Sequence, residues 1–73
     1  MIKVNINELL KKENKTKYWL CKVSGISRTN LDNVIKGNTN AISFIYIEKL
    51  CYFLNCTPNE LFTIEFEKSY DYD

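Results

Sequence analysis

The sequence contains no histidine, two glycines and one proline among its 73 residues. Without histidine, the chain lacks the commonest general base and the usual partner of a nucleophilic serine or cysteine. Its only glycines, Gly25 and Gly37, lie too far apart to build a glycine-rich phosphate-binding loop. We therefore expect a protein that is not an enzyme and that uses no cofactor.

Cysteine is scarce, and its arrangement offers no metal site. Cys21, Cys51 and Cys56 form no C-x-x-C pair, and the histidines that usually complete such sites are missing. Because Cys21 and Cys51 fall at core-facing helical positions, we expect reduced, buried thiols.

Long apolar runs are also missing, which predicts a chain without a transmembrane helix and without a membrane partner. The first residues, MIKVNINELLKKEN, contain no hydrophobic signal segment and no small-residue cleavage site. These features lead us to expect a cytoplasmic location.

The formal net charge of +1 conceals two halves of opposite sign. Residues 1–40 carry eight basic and three acidic side chains, whereas residues 41–73 carry two basic and six acidic ones. A basic half beside an acidic half suits a protein that docks on a polyanion in one orientation. The alternative is a solvated surface whose asymmetry has arisen by chance.

Residues 16–37, TKYWLCKVSGISRTNLDNVIKG, predict two short helices joined by a sharp turn. Thr16 and Ser27 are suitable N-caps, and Gly25 lies where the first helix needs a left-handed residue to end. Ile26 should fill the angle between the helices, and Gly37 should end the second. The buried faces predicted by helical spacing are Leu20, Cys21 and Ser24, and then Leu31, Val34 and Ile35. This spacing indicates a helix-turn-helix, with a plain helical hairpin as the alternative.

Three more helices are predicted around this motif. The first should span residues 6–13, with a capping box formed by Asn5 and Glu8 and a buried face made of Ile6, Leu9 and Leu10. Another should span residues 44–54 behind the cap Ser43, and Asn55 should adopt a left-handed conformation that ends it. Its buried stripe is Ile47, Leu50, Cys51 and Leu54.

The last helix is short and leads into a strand. Thr57, Pro58 and Glu60 combine a cap, a proline at the first helical position and a capping-box glutamate, and Leu61 and Phe62 should face inward. Residues 2–5 and 63–67 alternate polar and apolar side chains and should pair as a small antiparallel ribbon. Its outer edge can accept a strand from a second subunit.

The chain should therefore form one mainly α-helical domain over residues 1–68, with five helices and a terminal ribbon. Residues 69–73 should form a flexible acidic tail. From residue 6 to residue 62 the sequence resembles the helix-turn-helix domain of the lambda-repressor/Cro type, also called the XRE family. The similarity rests on Leu20-Cys21, on the turn Gly25-Ile26-Ser27 and on the later stripe of Ile47, Leu50, Cys51 and Leu54. Cysteine replaces the family's usual alanine at two of these positions.

The resemblance implies a fold of four or five helices that binds operator DNA, usually as a dimer. The N-terminal residues of the second motif helix would read base edges in the major groove. Arg28 suits guanine, Asn33 suits adenine, and Thr29 suits a thymine methyl or a phosphate. Similar members suggest that Asn30 holds a phosphate, and Lys17 is placed for the DNA backbone. The full set of predicted DNA contacts is Lys17, Ser27, Arg28, Thr29, Asn30, Asn33, Lys36, Asn38, Thr39 and Asn40.

Each of these assignments has a plainer alternative. Arg28 can form a solvent-exposed ion pair with Asp32, four residues further on. Asn38 and Asn40 can be ordinary loop residues. Trp19 and Val23 lie beside the buried stripe of their helix rather than in it, which suggests an apolar contact. That contact can be an extension of the core, the terminal ribbon, a second subunit or another protein.

We expect a small transcriptional regulator that binds double-stranded DNA, acts as a repressor and forms a homodimer. The helix over residues 28–36 should enter the major groove, and the dimer should read half-sites roughly 34 Å apart. The alternative is a protein-interaction module on the same fold, an antitoxin or a phage regulatory adaptor. Its support is the Trp19 and Val23 patch together with the acidic, aromatic end of the chain.

Overall fold

The computed structural model describes residues 1–66, which form five helices and one two-stranded antiparallel sheet. The mainly helical class and the small terminal ribbon predicted from the sequence are confirmed. The predicted tail, residues 69–73, lies outside the described residues, and the domain boundary at residue 68 stays a prediction. In chain order the elements are β1 (Ile2–Val4), α1 (Ile6–Lys12), α2 (Lys17–Ser24), α3 (Arg28–Lys36), α4 (Phe44–Phe53), α5 (Pro58–Leu61) and β2 (Phe62–Ile64).

One apolar core joins the five helices. Each helix contributes at least one buried side chain, and Leu20, Leu31, Leu50 and Leu61 are each 0% exposed. Burying an apolar side chain of this size stabilises the fold by about 1.5–3 kcal/mol. The core therefore holds α2 and α3 at a fixed angle, which is what a site built on their outer surfaces requires. The complete buried set is Ile6, Leu9, Leu10, Leu20, Ile26, Leu31, Val34, Leu50, Leu54 and Leu61.

The terminal ribbon pairs β1 with β2 in antiparallel register, with Ile2 opposite Ile64 and Val4 opposite Phe62. It is shorter than predicted, because it spans Ile2–Val4 and Phe62–Ile64 rather than residues 2–5 and 63–67. Of the predicted second strand, residue 67 lies outside the described part of the chain. Phe62 was expected to continue the last helix, but it is extended with φ −113° and ψ 143°. Its pairing with Val4 explains why α5 ends one residue earlier, at Leu61.

The predicted capping box at the start of α1 is wrong. Asn5 occupies the N-cap position, but its side chain makes no capping hydrogen bond. Its backbone N–H instead donates to Leu61 O at 2.7 Å, which holds Asn5 at φ −84° and ψ 44°, away from the extended conformation that a cap normally adopts. Its Nδ2 donates to Thr63 Oγ1 at 2.8 Å and to Glu60 O at 3.2 Å. Asn5 therefore ties α1 to the other end of the chain.

The other helix ends are close to their predicted positions. α1 ends at Lys12 and α4 at Phe53, each one residue before the predicted boundary. Ser43 Oγ accepts from Tyr46 N at 3.1 Å, as expected for the cap of α4. Asn55 has φ 53°, which confirms the predicted left-handed residue after that helix. The glutamate predicted for the box of α5 is also in place, since Thr57 N donates to Glu60 Oε1 at 3.1 Å.

The three cysteines are free thiols, but they are half-buried rather than buried. Cys21 and Cys51 pack against the core while keeping part of their surface exposed, because each lies at the edge of its helix's apolar face. Cys56 N donates to Cys51 O at 3.0 Å just beyond the end of α4. Burial, followed by the neighbouring Cys51, raises the pKa of the Cys56 thiol to about 11, which keeps it protonated at neutral pH.

Candidate nucleic-acid interface

Local capping builds the turn between α2 and α3. Thr16 Oγ1 accepts from Trp19 N at 3.1 Å at the start of α2, and Ser27 Oγ accepts from Asn30 N at 3.1 Å at the start of α3. Between them Gly25 has φ 77°, in the left-handed region that favours glycine. Ile26 is 2% exposed and fills the angle between the helices. Both predicted caps, the glycine turn and the buried isoleucine are confirmed.

The turn is also anchored to α4. Ser24, a buried polar residue, donates from Oγ to Leu20 O at 2.6 Å and accepts from Ile26 N at 3.2 Å. Lys49 of α4 donates from Nζ to Ser24 O at 2.9 Å. A cation at the C-terminus of a helix interacts favourably with the helix dipole. Lys49 therefore fixes the end of α2 and, through the turn, the start of α3.

The outer face of α3 carries a stripe of three exposed side chains, Thr29, Asn33 and Lys36. Their i, i+4, i+7 spacing places them on the side of the helix opposite Leu31 and Val34, which are buried. Within residues 1–66 the three side chains form no hydrogen bond or ion pair. They are thus available to a ligand along the length of the helix.

A charged flank borders this stripe on the side of α2. Lys17 Nζ lies 3.7 Å from Asp32 Oδ1, and Arg28 Nε lies 3.6 Å from Asp32 Oδ2. The ion pair between Arg28 and Asp32 that sequence spacing suggested is therefore present, and Lys17 joins it. The Arg28 side chain is 63% exposed, so water weakens the pair. A phosphate approaching this flank would compete with one carboxylate for two cations.

A neutral flank borders the stripe on the side of α4. Asn30 Nδ2 donates to the hydroxyl of Tyr46, 16 residues away in the chain, at 3.2 Å. Sequence reasoning did not select Tyr46, because its place next to Ile47 indicated only the edge of the core-facing stripe of α4. The phenol oxygen was the one available signal, and only the fold shows that it meets α3.

The predicted loop contacts follow α3. Gly37 ends the helix with φ 75°, as expected. Asn38, Thr39 and Asn40 are all exposed. Thr39 Oγ1 donates to Ala41 O at 2.7 Å, so this hydroxyl shapes the loop and has only acceptor capacity left for a ligand. The fold therefore brings all ten predicted DNA contacts to the outer surfaces of α2, α3 and the following loop. Their roles in binding stay predictions.

Trp19 lies on another side of α2 and belongs to an aromatic group with α4. Its ring meets Phe53 edge-on with centroids 6.3 Å apart, and Lys15 Nζ lies 5.1 Å from the Trp19 centroid. Phe53 also meets Tyr52 edge-on at 5.0 Å. These contacts support the interpretation of Trp19 as an extension of the core. Two side chains near this aromatic group stay exposed: Val23, on the same helix as Trp19, is 38% exposed, and Tyr52 is 77% exposed.

The described residues contain neither a metal-binding cluster nor a membrane-spanning helix. Among residues 1–66, histidine, cysteine, aspartate and glutamate form no group of three or more that could hold a metal ion. In the part of the chain that the structure describes, no helix is both long enough and apolar enough to cross a bilayer.

Comparison with known proteins identifies the domain. Neither the curated proteins nor the solved structures contain a significant match to this chain. A family model for the Cro/C1-type helix-turn-helix DNA-binding domain matches residues 5–67, which is most of the chain and includes every element from α1 to β2. Together with the capped helix-turn-helix and its exposed polar stripe, this match shows that the chain belongs to the Cro/C1-type helix-turn-helix DNA-binding family.

Proposed function

We propose that this protein is a sequence-specific transcriptional repressor that inserts α3 into the major groove of double-stranded DNA. The observation that carries the proposal is the exposed stripe of Thr29, Asn33 and Lys36 on a helix whose opposite face buries Leu31 and Val34. A helix of this kind fits the major groove. Domains of this family are typically non-enzymatic, and a DNA partner implies a cytoplasmic location in a bacterial or phage setting.

The side chains along α3 suit different parts of the duplex. Asn33, one turn into the helix, can form a paired contact with adenine, and Thr29 can meet a thymine methyl. Arg28 can form a paired contact with guanine once it leaves Asp32. Ser27 and Lys36 lie at the two ends of α3, where backbone phosphates pass.

The residues around α3 suit the DNA backbone. Lys17 lies on the α2 side, Asn30 on the α4 side, and the loop residues Asn38, Thr39 and Asn40 follow the end of α3. The Thr39 hydroxyl must release Ala41 O before it can donate to a phosphate. Contacts of this kind fix the register of the protein on DNA without reading sequence. The bases would therefore be read by Thr29, Asn33 and Arg28, and the phosphates by the residues that surround them.

The terminal ribbon supports a homodimer. Ile2 and Ile64 face each other across the ribbon yet remain 58% and 55% exposed. They line an apolar groove of about 330 Å³, whose walls include Ile42 and Phe62. A second copy of the chain would cover these side chains and pair with a free strand edge. A dimer would then read two half-sites about one helical turn, roughly 34 Å, apart.

A second candidate function is a protein-interaction module on the same fold, such as an antitoxin or a phage adaptor. The observation that favours it is the aromatic surface formed by Trp19, Tyr52 and Phe53, with Val23 beside it. Tyr52 is 77% exposed, which leaves an apolar ring in water away from the proposed DNA surface. Large exposed apolar patches are typical of protein contacts.

The dependence of duplex binding on salt separates the two functions. A DNA-binding protein should lose about 0.9 log units of affinity per log unit of salt for each phosphate contact. Arg28→Ala should weaken binding to the preferred site by about 1–3 kcal/mol at one base pair. Asp32→Asn should have the opposite effect. It removes the carboxylate that pairs with Lys17 and Arg28, so it should strengthen binding to any duplex.

Two measurements complete this test. Titration of random duplex at low salt should show binding by the wild-type protein, and its absence would remove the DNA-binding proposal. In vitro selection of bound sequences should yield a palindrome if the active form is a dimer. Selection of a single half-site would instead indicate that one copy of the chain is sufficient.

A further inference from the structure

A polar cleft lies beside the recognition helix on the side of α4. It has a volume of about 480 Å³ and opens between α3, the loop after it and the first turn of α4. Most of its polar lining comes from uncharged side chains that carry hydrogen-bond donors, and no lysine or arginine lines it. The polar residues that line it are Asn30, Asn33, Asn38, Thr39, Ser43 and Tyr46.

The hydrogen bond between Asn30 and Tyr46 crosses this cleft at 3.2 Å. The Tyr46 ring is half-buried and packs against the core, so its hydroxyl is held in one place. Asn30 is exposed, but its backbone is fixed by the cap, since its N–H donates to Ser27 Oγ. Two polar groups from separate helices are thus held side by side at the margin of the exposed stripe on α3.

The hydrogen atoms of this pair show which ligand would fit. Asn30 Nδ2 carries two hydrogens and gives one to Tyr46. The Tyr46 oxygen accepts that bond, and within residues 1–66 its own proton has no acceptor. The pair therefore presents two adjacent donors, the Tyr46 O–H and the second amide hydrogen of Asn30. A ligand that fits must accept both hydrogens, as the two unesterified oxygens of a phosphodiester can.

We propose that Tyr46 and Asn30 form a neutral two-donor site for one phosphate of the DNA backbone. The proposal rests on the DNA-binding function proposed above and adds Tyr46 as a direct DNA contact. On the opposite side of α3, Lys17 and Arg28 form a cationic margin. Binding on that side releases counterions and weakens with salt, whereas the Tyr46 side contributes a hydrogen-bonded contact that releases none.

The test replaces Tyr46 with phenylalanine, which keeps the ring and its packing and removes only the hydroxyl. Loss of a net hydrogen bond of about 0.5–1.5 kcal/mol should weaken binding roughly two- to twelvefold. The loss should be equal for all sequences, and the slope of log affinity against log salt should stay that of the wild type. Tyr52→Phe is the matched control on the same helix, because its ring is 77% exposed, and it should bind like the wild type.

Lys17→Ala provides the contrasting result, because loss of one cation should lower the salt slope by about 0.9. Unchanged affinity in Tyr46→Phe, or a changed salt slope, would overturn the proposal. A preference altered at one base pair would overturn it too, since that indicates base reading. If the wild-type protein binds no duplex, the proposed function itself fails, and this outcome is distinct from the others.

A double-variant experiment separates direct contact from positioning. If Tyr46 touches the phosphate, Tyr46→Phe should still weaken binding in protein that already carries Asn30→Ala. If Tyr46 only orients Asn30, the second substitution will have no effect in that background, and the proposal of a direct contact is overturned. The unfolding temperature of each variant should match that of the wild type within a few degrees. Asn30→Ala should meet this condition most readily, because Asn30 is exposed.

Discussion

The helix-turn-helix and the terminal ribbon are stabilised in different ways. α2 and α3 rest on side chains such as Leu20 and Leu31 that are 0% exposed. The ribbon pairs the two ends of the chain and packs only Val4 and Phe62 against the core, and its Ile2 and Ile64 stay more than half exposed. The proposed DNA surface is therefore built on the elements that rest on the buried core. The ribbon keeps exposed apolar side chains that a second subunit would cover in the proposed dimer.

The largest expected effect on stability compares one apolar side chain in each region, buried in the helix-turn-helix and exposed in the ribbon. Leu31→Ala should lower the free energy of unfolding by about 2–5 kcal/mol, because it leaves a cavity in the core. Ile64→Ala should cost about 1 kcal/mol or less, because that side chain is already 55% exposed. Urea unfolding at low protein concentration measures both values without a contribution from dimer formation. Equal losses would show that the ribbon belongs to the core.

An intermediate effect is expected at the turn. Gly25→Ala should lower the free energy of unfolding by about 1–2 kcal/mol, because a residue with a Cβ is strained at φ 77°. The cost is conformational, since an added Cβ would meet no atom within 4 Å.

Gly25→Asn is the matched control for this position and should lose less, because asparagine tolerates the left-handed region. Asn14 and Asn55 already adopt it in this chain, with φ 57° and 53°. The comparison is made by thermal unfolding. Equal losses for alanine and asparagine would indicate that backbone strain is not the cause.

The smallest effect belongs to the outer surface of the ribbon. Lys3 Nζ lies 2.9 Å from Glu65 Oε1, and this contact lowers the pKa of Glu65 below its ordinary 4.5 and raises the pKa of Lys3 above 10.5. The contribution of Glu65 to stability is present above pH 4.5 and is lost as the pH falls through its lowered pKa. The contribution of Lys3 is present below pH 10.5 and is lost as the pH rises through its raised pKa.

Glu65→Gln should therefore lower the urea midpoint slightly at neutral pH and leave it unchanged in strong acid. Salt should also remove the difference, since both side chains are exposed. Glu48→Gln is the matched control, on an exposed position of α4 outside every ion pair of residues 1–66. A difference that persists in acid would contradict an electrostatic origin.

The elements governed by neighbours in sequence were predictable. Thr16, Ser27 and Ser43 cap their helices as expected, and Gly25 and Gly37 end theirs. A hydroxyl that bonds an N–H three residues on, or a glycine at positive φ, depends on local geometry alone. The same reasoning failed at Asn5. Its backbone N–H is held by a hydrogen bond to Leu61 O, and its side-chain amide donates to Thr63, 58 residues away in the chain.

The sequence by itself determined the five helices, the position of the turn and the face of α3 that is exposed, because these follow from helical period and from capping within a few residues. Only the tertiary structure decided what lies beside that face. It brought Lys17 to Asp32, placed Tyr46 against Asn30 and packed Trp19 on Phe53. Each of these contacts joins different elements, and long side chains with several rotamers settle only against the neighbour that the fold supplies.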